Sequence, residues 1–93
     1  MYIICYDISN DSLRAKFARF VRKYGRPLQY SVIELKNSPR LLKVILSEIE
    51  DNFKKKFTYS DSVLIFPVNE TAYKNTFRYG YPVQEEQKII DID

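Results

Sequence analysis

From Tyr2 to Ile8 almost every position is apolar or aromatic, and β-branched and ring side chains dominate the run. Such a segment has no polar face to offer water, so it predicts a central strand covered on both sides. The period then changes. Ser9-Asn10-Asp11-Ser12 groups side chains that cap helices, and Leu13, Phe17, Phe20, Val21 and Tyr24 recur at helical spacing until Gly25, which is placed as the residue just past a helix end. Pro27 blocks continuation, and Leu28 to Leu35 reads as one strand with Tyr30, Val32 and Ile33 as its β-formers. Ser38 and Pro39 are the N-cap and first-turn residues of a second helix, which carries Leu41, Leu42, Ile45, Ile49 and Phe53 on one side and fades in Lys54-Lys55-Lys56. Val63 to Val68 is a further strand, and Pro67, lacking an N–H, places it at an edge or an end.

No period holds from Asn69 to Pro82, where Tyr73, Phe77, Tyr79 and Tyr81 alternate with Lys74 and Arg78 around Gly80. Lys88-Ile89-Ile90-Asp91-Ile92 is short enough for one last strand. The pattern is therefore β-α-β-α-β, a layer of sheet beside a layer of helix. Strands with Ile, Tyr, Val and Cys on both sides cannot leave one side wet, so a second copy of the chain is expected to cover it.

Composition narrows the chemistry. With 93 residues and 11.1 kDa, the chain has length for one core. Hydrophobic residues at 45% and charged residues at 29% fit a folded globular domain and exclude a disordered tail. No apolar run approaches the roughly 20 residues that cross a bilayer, and no basic segment precedes the first strand. Cys5 is the single cysteine, so no internal disulfide forms. A cytoplasmic protein without a membrane partner is expected, with Cys5 as a small buried hydrophobe. The absence of histidine excludes Ser-His-Asp and Cys-His catalysis and leaves carboxylates, lysine, tyrosine or an oxygen-bound metal.

The net charge is only +3, but its distribution is uneven. Between Ser12 and Ile33 stand six basic residues (Arg14, Lys16, Arg19, Arg22, Lys23, Arg26) and no acidic one. On the first helix Lys16, Arg19, Arg22 and Lys23 lie opposite the apolar stripe, with Arg14 at its border. Two readings are open for these cations: a solvated helix face, or a surface for nucleic-acid phosphates. Asp7, the lone acid of the first strand, either helps turn the strand into the helix or serves as a metal ligand. The rings from Tyr73 to Tyr81 either pack on their own fold or stack bases.

Tyr6-Asp7-Ile8, then Arg14 and Lys16, then Tyr24-Gly25-Arg26 and Gln29-Tyr30-Ser31-Val32-Ile33-Glu34, occur in an order that resembles the small CRISPR-associated endonuclease family, the dimeric companion of the spacer-acquisition integrase. The resemblance covers residues 1–68. It implies an α+β fold, a ferredoxin-like βαββαβ sandwich with a hairpin between the helices, an extra C-terminal strand and a face-to-face homodimer. Residues 69–93 become an aromatic loop and terminal strand packing on the partner subunit. It also implies that Asp7 from each subunit holds Mg2+ at the dimer cleft and is the catalytic carboxylate; the cations Arg14, Lys16, Arg19, Arg22, Lys23 and Arg26, repeated by two-fold symmetry, are the expected nucleic-acid contacts. The function so implied is duplex-DNA binding and integrase bridging in CRISPR adaptation, with a magnesium-dependent phosphodiesterase site. The alternatives are a stand-alone metal-dependent endoribonuclease and a non-catalytic oligomerisation module. Ile33 stands where the family commonly has an aromatic residue, and the stretch 69–82 is longer and more aromatic than the family pattern.

Overall fold

The computed structural model describes residues 1–80. Its elements are β1 (Tyr2–Asp7), α1 (Asp11–Arg22), β2 (Gly25–Gln29), β3 (Val32–Leu35), α2 (Pro39–Glu48), β4 (Ser62–Pro67) and α3 (Glu70–Lys74). The strands form one antiparallel sheet in the order β2-β3-β1-β4, with β1 between β3 and β4. Helices α1 and α2 follow β1 and β3, which gives the ferredoxin-like βαββαβ arrangement. The β1 run is central, as its composition requires. At the far end of β4, Pro67 ends the edge strand, and Met1 and Val68 exchange two main-chain hydrogen bonds of 2.9 and 2.8 Å just beyond it.

The one strand expected over Leu28–Leu35 is two, joined by a turn at Tyr30-Ser31. Two bonds from Tyr6 pin that turn: its hydroxyl donates to the Tyr30 carbonyl at 3.0 Å and its N–H to the Ser31 carbonyl at 3.1 Å. The β2–β3 register slips between Pro27 and Gln29, on the edge strand where a missing donor is tolerated. Gly25 is not the residue past the helix end. Lys23 closes α1, and Gly25 opens β2 so close to β3 that a Cβ would stand 2.0 Å from the Glu34 carbonyl oxygen. Glycine is needed there for proximity, not for a left-handed turn.

Both helix starts follow their capping chemistry. The Asn10 side chain accepts from the Leu13 N–H at 2.8 Å, and Ser38 accepts from the Leu41 N–H at 3.3 Å with Pro39 behind it. Past Glu48 the chain widens into a π turn over Ile49–Phe53 and tightens into a 3₁₀ turn at Lys54–Lys56. Ile45, Ile49 and Phe53 are four residues apart, more than the 3.6 of an α turn, so the wider turn returns Phe53 to the same stripe. The short α3, capped by Asn69 accepting from Ala72 N–H at 2.7 Å, lies where no period was evident.

The core lies between the helices and one face of the sheet. Ile4, Tyr6, Ile33 and Leu35 meet Leu13, Phe17, Phe20, Val21, Ile45 and Phe53 there. Phe17, fully buried, is the hub, with ring centroids of Tyr6 and Phe53 at 5.0 Å and Phe20 at 5.9 Å, all edge-on. Tyr2 joins at the margin. The predicted strand Lys88–Ile92 and the ring of Tyr81 lie outside the described residues. Among the described residues no helix is long and apolar enough to cross a membrane.

Candidate carboxylate site and nucleic-acid interface

Alternation along β1 sends Ile4 and Tyr6 into the core and Ile3, Cys5 and Asp7 to the opposite face. The register builds that second face row by row. Arg26, Glu34, Ile3 and Phe66 stand side by side across the four strands, then Val32, Cys5 and Leu64, then Asp7 beside Ser62. Leu64 and Phe66 remain 55% and 46% exposed. Cys5 is half-buried on this face rather than in the core, and partial burial pushes its thiol up from the ordinary value. At one end of the face, the Tyr73 hydroxyl donates to Glu34 Oε1 at 2.8 Å and Arg26 Nε donates to the same oxygen at 3.1 Å. The first ring of the aromatic stretch therefore packs on its own fold, whereas Phe77 and Tyr79 are exposed.

Asp7 ends β1 exposed to solvent. The strand-to-helix turn does not use its side chain: Asn10 caps α1, and Asp11 pairs with Arg14. The turn is tied from elsewhere by Asp61. Asp61 Oδ1 accepts the Ser9 N–H at 2.9 Å and the Ser9 hydroxyl at 3.0 Å, while Oδ2 accepts the Thr58 N–H at 2.8 Å. The backbone bonds from Ser9 and Thr58 hold the Asp61 carboxyl below the usual carboxylate range. Among the described residues, then, the Asp7 carboxylate takes no hydrogen bond, although its neighbours on both sides are fixed.

A hard-oxygen metal suits such a carboxylate, because magnesium is commonly held by one or two carboxylates with water and phosphate completing the shell. No group of three or more Cys, Asp or Glu side chains converges among the described residues, so these residues do not assemble a three-ligand metal site at Asp7. That fits a shared site and does not fit a self-contained metal cage.

The six cations divide between surfaces. Lys16, Arg19 and Lys23 are exposed on α1 and at its end, and Arg22, also exposed, borders the groove between α1 and the β2–β3 turn. Arg14 is held inward, donating to the Ile8 carbonyl at 3.0 Å and pairing with Asp11. Arg26 stands on β2, across the sheet from α1, and is matched by Glu34. Sequence reasoning missed Asp61 and Glu34. The Thr58-Tyr59-Ser60-Asp61 turn composition was a signal for the first; the second meets Arg26 only through the hairpin that periodicity did not show, and Tyr73 from 39 residues further on.

A ferredoxin-like chain with a lone carboxylate ending its first strand defines the class of molecule. The chain belongs to the family described as CRISPR associated protein Cas2, whose model matches residues 1–76. It is 35% identical over 84 residues to the CRISPR-associated endoribonuclease Cas2 4 of Rhodospirillum rubrum, covering 90% of this chain and 65% of that relative, so it spans about two-thirds of the relative's length. It is 30% identical over 83 residues to the CRISPR-associated endoribonuclease Cas2 3 of Synechocystis, covering 88% of this chain and 86% of the relative. Among solved structures, a partial Cas6-RT-Cas1–Cas2 complex contains a chain similar at a TM-score of 0.71 and 28% identity, with 90% of this chain and 96% of that one covered. Streptococcus pyogenes Cas2 shares the fold at a TM-score of 0.69 and 18% identity, with 85% of this chain and 98% of that one covered.

Proposed function

We propose that this protein acts in CRISPR spacer acquisition as a sheet-to-sheet homodimer that binds the backbone of duplex DNA and bridges copies of the integrase. The observation that carries this reading is the sheet face that the described residues leave open, apolar through Ile3, Cys5, Leu64 and Phe66 and ending in Asp7, whose carboxylate takes no hydrogen bond among those residues. A second copy laid on that face removes its apolar surface from water, the largest available driving force. A two-fold axis beside Asp7 then sets two carboxylates across one cleft, turning a single ligand into a pair for Mg2+. Magnesium bound there supplies a polarised phosphodiester and an activated water, the hydrolytic chemistry compatible with a chain that lacks histidine. The likeness to a chain of a Cas1–Cas2 complex supports the integrase as partner. The α1 cations remain on the outside of such a dimer, free to neutralise phosphates without reading sequence.

A second reading, a magnesium-dependent endoribonuclease, is favoured by the names of the curated relatives. Two variants separate the readings. Changing Lys16, Arg19 and Lys23 together to Glu is expected to abolish duplex binding, which in the wild type weakens by about 10³-fold or more between 50 and 200 mM salt if about six phosphates are contacted. Retained affinity in that variant removes the cationic-helix reading. Asp7→Ala is expected to keep DNA binding. Magnesium-dependent RNA cleavage by the wild type that disappears in Asp7→Ala supports the nuclease, and its absence from both supports the scaffold.

A further inference from the structure

An open groove of about 450 Å³ runs between α1 and the β2–β3 turn, lined by Arg14, Ala15, Ala18, Arg22, Tyr30 and Ser31. We propose that it binds one unstacked nucleotide of a single strand, the base lying on the Tyr30 ring and the phosphate on the Arg22 guanidinium.

Tyr30 is 79% exposed, an unusual place for a large ring, yet its backbone is not loose. The buried Tyr6 holds the turn through both its hydroxyl and its N–H, so the ring is presented from an anchored peptide. A platform fixed beforehand loses little freedom when something stacks on it. On the opposite wall, Ala15 and Ala18 are one helical turn apart and carry no bulk, which leaves space for a flat ligand. The charges are also sorted. Asp11 lines the groove, but Arg14 neutralises it, while among the described residues Arg22 makes no hydrogen bond or ion pair. One unmatched guanidinium, a neighbouring Ser31 hydroxyl and an exposed ring are the parts that recognise a phosphate and a base together. An acidic peptide has no use for the ring, and a duplex keeps its bases stacked away from it.

The inference rests on reading α1 as a nucleic-acid surface and adds the class of ligand at one end of it. The test measures anisotropy of labelled ten-residue oligothymidylate and oligouridylate strands, and of a duplex. Tyr30→Ala is expected to weaken binding of at least one single strand by about tenfold, with Tyr30→Phe within about twofold of wild type and duplex affinity unchanged in both. A strand carrying 5-iodouracil is expected to photocrosslink to Tyr30. Single-strand binding by Tyr30→Ala equal to wild type overturns this inference alone, provided the duplex still binds. A wild type that binds neither duplex nor single strand overturns the inference together with the reading beneath it. Displacement of the strand by an equal nucleotide concentration of thymidine monophosphate assigns the groove to free nucleotides and overturns the strand assignment.

Discussion

The two faces of the sheet are built from the same few strands and alternate residue by residue, yet they meet different fates. On one, Ile4, Tyr6, Ile33 and Leu35 are sealed beneath two helices around Phe17. On the other, Ile3, Cys5, Val32, Leu64 and Phe66 are equally apolar, and the described residues cover them only at the Glu34–Tyr73 corner. Apolar character alone therefore does not tell whether a face serves the stability of one chain or the association of two. The helices decide only which face is sealed within one chain, because α1 and α2 each have one stripe to bury and both turn it to the same side.

Substitutions on either face sharpen the contrast. Phe17→Ala, which empties the hub of the covered face, is expected to lose about 3–5 kcal/mol in urea unfolding at fixed protein concentration, a large part of the stability of a small domain. Gly25→Ala acts on the sheet itself. The added methyl meets the Glu34 carbonyl, and separating β2 from β3 is expected to cost about 1–3 kcal/mol in the same measurement. Leu64→Glu with Phe66→Glu places charge on the open face, and the expected result is a normal circular dichroism spectrum with a sedimentation mass of one chain in place of two. Cys5 reports on the same event. Its thiol is expected to react slowly with a maleimide in the wild type and faster in that double variant; equal rates would show that nothing covers the face.

The smallest effect concerns pH. The folded pKa of Asp61 lies below the ordinary carboxylate value of 3.8, so the unfolded chain binds the proton more readily. Its stabilising contribution is complete above that ordinary value and declines as pH falls through the lower folded pKa. Wild type is expected to exceed Asp61→Asn in stability at pH 6, with the gap closing below about pH 4, as followed by urea midpoints. A gap that is constant with pH would show that the hydrogen-bonded geometry, not the charge, holds the Ser9 turn.

Much of this was legible in the chain. The β1 run, the Ser38-Pro39 start, the stripes of both long helices and the edge position of the Pro67 strand are all local patterns, and each is seen in the fold. Capping required only a choice among neighbours, and Asn10 takes it. The hairpin was not legible from periodicity, because a turn at Tyr30-Ser31 carries neither Gly nor Pro and is held by Tyr6, 24 residues earlier. Resemblance to a family supplied it. Helix α3 escaped because one turn of helix is too short to show a period.

By its order of apolar and polar residues, the chain determined the central β1 strand, the Pro67 strand, both long helices with the dry side of each, and that no imidazole chemistry is open to it. Only the tertiary structure decided that, among the described residues, Arg14 and Arg26 are matched while Arg22 is not, and that Asp61 rather than Asp7 ties the turn. Local patterns arise from neighbours within a turn or a pleat. The pairing of charges depends on register across strands and on loops closed over 52 residues, which no short window contains.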